Sequence, residues 1–168
     1  MIWEPGLAVV QFFIGIVFAV FSIFLGTKIF DNFTHNIDEW EEIKKGNLAV
    51  GLFLAAIILS IALMIEPFIS GLTGAINPSL ALVDIGVLLA IGIVELLIGL
   101  LLAVITIYIV VRVWDEITVD IDELTQLKKG NMAISVILSA VLFSVAYVLR
   151  LTIVAFVEAI NLKGLLGL

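Results

Sequence analysis

Four long apolar stretches constrain the fold of this chain more than any other feature. They run from about Leu7 to Thr27, Leu48 to Glu66, Ile85 to Val111, and Met132 to Leu149. A helix rises 1.5 Å per residue, so about 20 apolar residues cross the hydrocarbon core of a bilayer. Composition agrees, because 63% of the residues are hydrophobic and 14% are charged, against roughly half and a quarter in soluble domains. We therefore predict an all-α membrane protein with four transmembrane helices.

The basic residues predict the orientation of these helices. The chain has 8 Lys and Arg residues, and six of them flank two polar loops, namely Lys28, Lys44, Lys45, Arg112, Lys128 and Lys129. Short loops rich in Lys and Arg stay in the cytoplasm. We expect both polar loops to be cytoplasmic and both termini to lie outside, in the cell membrane. The formal net charge of -7 argues against nucleic acid as a partner.

The tetrapeptide KKGN occurs at residues 44–47 and again at 128–131, a spacing of 84 residues in a chain of 168. The ungapped match extends from Lys28 and Arg112 to Glu66 and Arg150. This pattern predicts a tandem duplication, with repeats at residues 1–84 and 85–168 forming one membrane domain. Because each repeat has two spanning helices, the repeats are expected to be parallel and pseudo-symmetric about an axis along the membrane normal.

The two segments EIKKGNLAVGLFLAAIILSIAL and QLKKGNMAISVILSAVLFSVAY carry a family resemblance. The chain resembles the bacterial and archaeal membrane proteins catalogued as domain of unknown function 350. In that family a KGN-like element opens a helix rich in small residues, often in two copies. The resemblance covers nearly the whole chain as two modules. It implies a fold and a membrane location, and it carries no established activity onto these residues.

Each KKGN element is interpreted as a structural corner in preference to a ligand or ion site. In the first copy Lys44 and Lys45 complement a helix dipole, Gly46 takes a left-handed conformation, and Asn47 caps the next helix. The second copy repeats these roles, with Lys128, Lys129, Gly130 and Asn131.

A short amphipathic helix is predicted before each corner, lying in the headgroup plane. Asn36 stands three residues before Glu39, and Asp120 three before Glu123, which is a capping-box spacing. Apolar residues then recur every third position: Ile37, Trp40, Ile43 and Ile121, Leu124, Leu127.

Small residues on the helices after the corners predict close helix packing. The pairs are Ala56 with Ser60, Ser135 with Ser139, and Ala140 with Ser144. In lipid, small residues four apart let helix backbones approach each other. We expect the second and fourth spanning helices to form the centre of the bundle. The alternative is that these serines bond only to their own helix.

Four polar residues are predicted to cluster near the outer membrane boundary: Gln11, Glu66, Glu95 and Arg150. Ionisable groups in spanning helices are costly and usually pair. Arg150 is therefore expected to partner Glu66, Glu95 or both. One interpretation is a structural ion pair that fixes helix register. The other is the mouth of a cation or proton path.

The sequence favours a non-enzymatic role. It has no cysteine, and it lacks a metal-ligand set or a nucleophile with a base, so we expect neither catalysis nor a cofactor or metal. The apolar residues at 67–83 and 151–168 extend beyond the predicted spans, which leaves steep helix tilt, a re-entrant or surface-lying segment, or burial between copies. We favour burial between copies. We expect an oligomeric structural or assembly protein, with an oligomeric cation or proton channel as the alternative. Its expected partners are the lipid bilayer, further copies of the chain and a cytoplasmic protein.

Overall fold

The computed structural model describes residues 3–33, 39–77, 79–118 and 121–160. Within these residues the chain is helical and has no strands. Four long helices and two short ones follow in the order α1 Trp3–Phe33, α2 Glu39–Lys44, α3 Leu48–Ala75, α4 Leu82–Ile117, α5 Glu123–Lys128 and α6 Met132–Ile160. The helices α1, α3, α4 and α6 contain spans long and apolar enough to cross a membrane. The prediction of an all-α, multi-pass membrane protein is confirmed.

The long helices extend further than the apolar stretches suggested. The helix α3 continues to Ala75 rather than ending at Glu66, and it passes through the buried Pro67. Proline removes a helical hydrogen bond, but membrane helices tolerate it because backbone groups have few other partners in lipid. At 28 residues the helix is about 42 Å long, so it tilts or protrudes from a hydrocarbon core about 30 Å thick.

The helix α3 forms the centre of the bundle and contacts α1, α4 and α6. Its side chains Ile57, Ile61, Met64 and Ile65 are fully buried. The helix α6 packs on α3 and, less extensively, on α4, and much of its surface is exposed. The expectation that both helices following the KKGN corners are central is therefore wrong for α6. The helices α3 and α6 form the most extensive helix contact, but α6 has little contact with α1 and lies at the edge of the bundle.

The closest helix contacts occur at glycines of α1 and α4. A Cβ atom added at Gly99 would lie 2.5 Å from two ring carbons of Phe68, and one added at Gly92 would lie 2.5 Å from Leu72. On α1, Gly26 faces Ile61 in the same way, with a built Cβ at 2.9 Å. These glycines hold α4 and α1 directly against the side chains of α3.

Candidate functional site

Each KKGN element forms a helix end followed directly by a helix start. Gly46 has φ 81° and Gly130 has φ 80°, the left-handed region that glycine adopts without strain. The amide of Gly46 donates to the carbonyl of Ile43 at 2.9 Å, and the amide of Asn47 donates to the carbonyl of Glu42 at 3.0 Å. The second corner has the same pair of bonds, from Gly130 and Asn131. These are the two hydrogen bonds of a Schellman motif.

The two asparagines cap the helices that follow. Asn47 Oδ1 accepts from the amides of Ala49 at 3.1 Å and Val50 at 3.2 Å. Asn131 Oδ1 accepts from the two equivalent amides at 3.1 and 3.4 Å. The lysines lie at the surface of the same end, where Lys44, Lys128 and Lys129 are exposed. The tetrapeptide in each copy is thus a turn whose polar groups are used in capping.

Asn47 has a further role that the sequence did not suggest. Its Nδ2 donates to the carbonyls of Leu127 at 3.0 Å and Lys128 at 3.1 Å, at the end of α5. Both carbonyls belong to the last turn of α5, and the carbonyl of Leu127 also accepts from the amide of Gly130. Nδ2 of Asn131 donates to the Gln126 side chain at 3.1 Å, and Nδ2 of Asn47 makes the equivalent local bond to Glu42 at 3.1 Å. The first corner is therefore hydrogen-bonded to the second through Asn47, whereas the asparagine of the second corner bonds only locally.

Lys45 forms ion pairs with two glutamates beside the first corner. Its Nζ lies 2.9 Å from Glu42 Oε1 and 3.2 Å from Glu41 Oε1. The hydrogen bond from Lys45, followed by the one from Asn47, lowers the pKa of Glu42 below its usual value. The hydrogen bond to Glu42, followed by the one to Glu41, raises the pKa of Lys45. Both groups are at the surface, so this arrangement orients the corner and contributes little to stability.

The short helices differ from their predicted form. The helix α5 begins at Glu123, and Asp122 is its N-cap, accepting from the amide of Thr125 at 3.0 Å. Asp120 was predicted as the cap. The hydroxyl of Thr118 donates to the buried Glu123, so this glutamate faces inward. Of the remaining predicted residues, Asn36, Ile37, and Asp120 itself lie outside the described residues.

In the first repeat the predicted apolar stripe is only partly buried. Trp40 is exposed while Glu39, the first residue of α2, is buried. Ile43 packs against the hydrophobic core.

The small residues of α6 divide between two faces. Ser135 Oγ donates to the carbonyl of Ala49 at 2.6 Å, and Ser139 Oγ donates to the carbonyl of Leu52 at 3.4 Å. These serines therefore bond to α3 and not to their own helix. Ala140 and Ser144 are exposed because α6 turns a different face toward α3. On α3 itself, Ala56 and Ser60 are buried.

The predicted polar cluster is only partly assembled. Arg150 Nη2 lies 2.8 Å from Glu66 Oε2, and Nε donates to the same oxygen at 3.0 Å. The pair borders a pocket of about 240 Å³ between α3 and α6, which we call the outer pocket. Val154, Val157 and Glu158 also line it. Arg150 thus pairs with Glu66, and the pocket beside it carries a second carboxylate.

Glu95 is not part of that ion pair. It is 5% exposed, and its Oε2 has no hydrogen-bond partner within the described chain. The side chain borders a void of about 10 Å³ with Phe68, Ile98 and Val157. Val157 also lines the outer pocket, so a single side chain borders both spaces. The sequence did not indicate that Glu95 would be separate from the Arg150–Glu66 pair.

Gln11 lies apart from the other three polar residues. Its Nε2 donates to the carbonyl of Ile76 at 3.0 Å, just beyond the end of α3. Ile76 is ten residues after Glu66, which is about 15 Å along a helix axis. Gln11 therefore satisfies a helix end on its own and does not contribute to the outer pocket.

Comparison with known protein families shows which family the chain belongs to. A family model described as Domain of Unknown Function (DUF350) matches residues 3–114 of the 168. The chain belongs to this family. The match covers α1 to α3 and most of α4, which includes the first KKGN corner and Glu95. No curated protein and no solved structure matches the chain. This match confirms the family resemblance over the first KKGN segment, the second segment lies beyond the matched residues, and the family assigns no activity to either.

Proposed function

We propose that this chain is a non-enzymatic protein of the cell membrane that assembles head to tail with further copies of itself. Both polar loops would lie in the cytoplasm and both termini outside. The main support for the proposal is that residues 84 positions apart on α3 and α6 differ in burial. On α3, Ala49, Phe53 and Ser60 are buried. The residues 84 positions later on α6 are Ala133, Ile137 and Ser144, and all three are exposed.

The asymmetry extends to the polar corner. Besides its local bond to Glu42, Asn47 bonds to the end of α5, whereas Asn131 makes only the equivalent local bond, to Gln126. If the chain is a tandem duplication, the first repeat uses a surface that the second repeat leaves open. An interface between unlike surfaces of this kind is heterologous, and it propagates into rings or filaments. The occupant it favours is the first repeat of a second copy.

The contact within the chain predicts the contact between copies. Leu52 on α3 meets Ser139 on α6. The residue 84 positions after Leu52 is Val136, and the residue 84 positions before Ser139 is Ala55. Both are exposed. If the α3–α6 contact within one chain is repeated between copies, Val136 of one copy lies beside Ala55 of the next. Small residues such as Ala140 on this face of α6 would allow the helices to approach closely in lipid.

Disulfide cross-linking tests this arrangement without competing disulfides from native cysteines, because the chain contains none. One tagged chain carries Val136→Cys, and a second chain with a different tag carries Ala55→Cys. Oxidation of the co-expressed pair in membranes should give a heterodimer. Neither variant alone should give a homodimer, since the surfaces are unlike. The matched control replaces Ala55→Cys with Val17→Cys, at an exposed position on α1.

Two results would contradict the assembly. Homodimers of Val136→Cys alone would indicate a two-fold interface in place of the head-to-tail one. A monomeric protein in lipid nanodiscs, with no heterodimer on oxidation, would remove the proposal altogether. Orientation is tested separately with an impermeant maleimide, which should label Asn77→Cys on intact cells and Lys128→Cys only after permeabilisation.

The exposed surface around the first corner supports a cytoplasmic protein as a further partner. Glu41 and Lys44 are exposed beside Trp40, which is also exposed. Exposed aromatic residues are common anchors in protein interfaces. If a partner binds here, Trp40→Ala should abolish its cross-linking to the membrane protein while leaving the Val136–Ala55 cross-link unchanged.

A second candidate function is an oligomeric cation or proton channel. The observation that favours it is the outer pocket, where Glu66 and Glu158 contribute carboxylates close to the buried Glu95. Cation channels commonly use carboxylates at their mouths. Wild-type protein in proteoliposomes should then conduct cations or protons, and Glu66→Gln should reduce the flux. Equal flux in wild type and variant, or none in wild type, would reject the channel.

A further inference from the structure

The ion pair between α3 and α6 joins two matched positions that carry opposite charges. Glu66 and Arg150 are 84 residues apart, the same spacing that separates the two KKGN elements. Nε and Nη2 of Arg150 contact one oxygen of Glu66, Oε2, at 3.0 and 2.8 Å. Oε1 of Glu66 and Nη1 of Arg150 lie outside these two contacts, and among the described residues neither side chain has another ion-pair partner. Each charged group therefore keeps a polar end for a second partner.

Both side chains of this pair are partly exposed. The exposed fraction of the side chain is 49% for Glu66 and 34% for Arg150. Glu66 lies 18 residues after Leu48, about 27 Å along α3, which is inside or at the edge of a hydrocarbon core about 30 Å thick. Charged surface at this depth is costly unless another charged group meets it. The pair within one chain thus leaves charged surface that a neighbouring protein can cover.

The two charged residues lie on the helix faces that carry the proposed contact between copies. On α6, Arg150 follows the exposed Val136 by 14 residues, and on α3, Glu66 follows the exposed Ala55 by 11 residues. These spacings are close to four and three whole helical turns, so each charge shares a face with its cross-linking position. A Cβ atom added at Gly51, one turn before Ala55, would meet nothing within 4 Å. This face of α3 therefore has room for an incoming helix.

We propose that Arg150 of one copy pairs with Glu66 of the next, so that the ion pair within each chain is repeated between chains. The inference rests on the head-to-tail assembly proposed above and adds the contact that makes the assembly selective. Acidic and basic groups alternate along it, and each has two partners. Two copies joined through the same face would place like charges in contact, which is strongly disfavoured. The charges therefore select the head-to-tail order.

Exchanging the two charges separates the contact within a chain from the contact between chains. The exchanged chain carries Glu66→Arg together with Arg150→Glu, which keeps an opposite-charge pair inside the chain. Two exchanged chains present the same complementary charges to each other as two wild-type chains. An exchanged chain beside a wild-type chain instead brings two arginines or two glutamates into contact.

The disulfide between Val136→Cys and Ala55→Cys reports the result in membranes that contain two differently tagged full-length chains. Two chains with wild-type charges should cross-link, and two exchanged chains should cross-link equally well. A mixed pair should cross-link roughly tenfold less or lower, because like charges in contact change an association equilibrium by at least that factor. The control exchanges an exposed ion pair within α4, using Arg112→Asp with Asp115→Arg, and should leave cross-linking to wild type unchanged.

The outcomes distinguish this contact from the assembly itself. Equal cross-linking of mixed and matched pairs would overturn the proposal and leave the head-to-tail assembly intact. No cross-link in any combination, including the wild-type pair, would remove the assembly and this contact with it. If two exchanged chains fail to cross-link while the wild-type pair succeeds, the uncharged chain with Glu66→Gln and Arg150→Gln replaces them. Paired with wild type, it should cross-link several-fold less than two wild-type chains do, and equal yields would again overturn the proposal.

Discussion

The contact between Gly99 and Phe68 gives the sharpest test of how this bundle is packed. A Cβ atom at Gly99 would lie 2.5 Å from both Cδ2 and Cε2 of Phe68 and 3.2 Å from Cγ. Phe68 is 2% exposed, so its ring has little room in which to move. We expect Gly99→Ala to force the backbones of α3 and α4 apart.

The size of the effect follows from a matched glycine on the same helix. A Cβ atom at Gly86 would meet nothing within 4 Å. Both substitutions remove the flexibility of a helical glycine, which by itself favours Ala by roughly 0.5–1 kcal/mol. The overpacking at Gly99 opposes this by about 1–3 kcal/mol. Gly99→Ala should therefore be less stable than Gly86→Ala by about 1–3 kcal/mol, since the shared helix term cancels.

Equilibrium unfolding in lipid–detergent bicelles measures both variants under one condition. The same substitution is then made in the Phe68→Ala variant, which lacks the ring. There Gly99→Ala should cost no free energy of unfolding, because the clashing atoms are gone. The cycle should give a coupling energy close to the whole overpacking term. If Gly99→Ala and Gly86→Ala have the same stability, or if Gly99→Ala destabilises equally without the ring, the described packing of α4 on α3 is incorrect.

Three further predictions concern the KKGN corners. Gly46→Val should destabilise the protein by about 1–2 kcal/mol, because a β-branched residue is strained at positive φ, and bicelle unfolding measures the loss. Asn47→Ala should cost about 2–3 kcal/mol and Asn131→Ala about 1, because only Asn47 adds hydrogen bonds to α5 to its capping role; equal losses would exclude the contact between corners. The pKa of Glu42 is lowered by Lys45, so its stabilising effect is present at neutral pH and is lost as pH falls through and below the usual glutamate range. Glu42→Gln should lack that part of the pH dependence of unfolding.

The number of helices and the form of the corners could be predicted because local chemistry determines them. Length and apolar composition are enough to identify a spanning helix, and the Lys-Lys-Gly-Asn order specifies a helix end and a new cap. The helix ends were less predictable. The predicted apolar stretch ended at Glu66, yet α3 continues through Pro67 to Ala75, because a membrane helix keeps its backbone bonds wherever water is absent.

The partner of each corner could not be predicted from matched residues. Asn47 and Asn131 are the same residue in the same local motif, and both cap the next helix. Only Asn47 also bonds to the other corner, because each corner has different neighbours in space. A match between two segments of the sequence describes what the segments share, and the contacts between them depend on which surface each one turns to the other.

The choice of partner for Arg150 illustrates the same limit at the outer end. Glu66 and Glu95 lie at similar levels, so pairing depends on the rotation of each helix about its axis, and one residue changes that rotation by about 100°. The glycines of α4 fix this rotation. In the sequence Gly92-Ile-Val-Glu95-Leu-Leu-Ile-Gly99, Glu95 must share the face of both glycines. Had they been recognised as contact sites for Leu72 and Phe68, the burial of Glu95 would have followed. A carboxyl group held against another helix by flanking glycines is thus a pattern that sequence analysis can seek in other membrane helices.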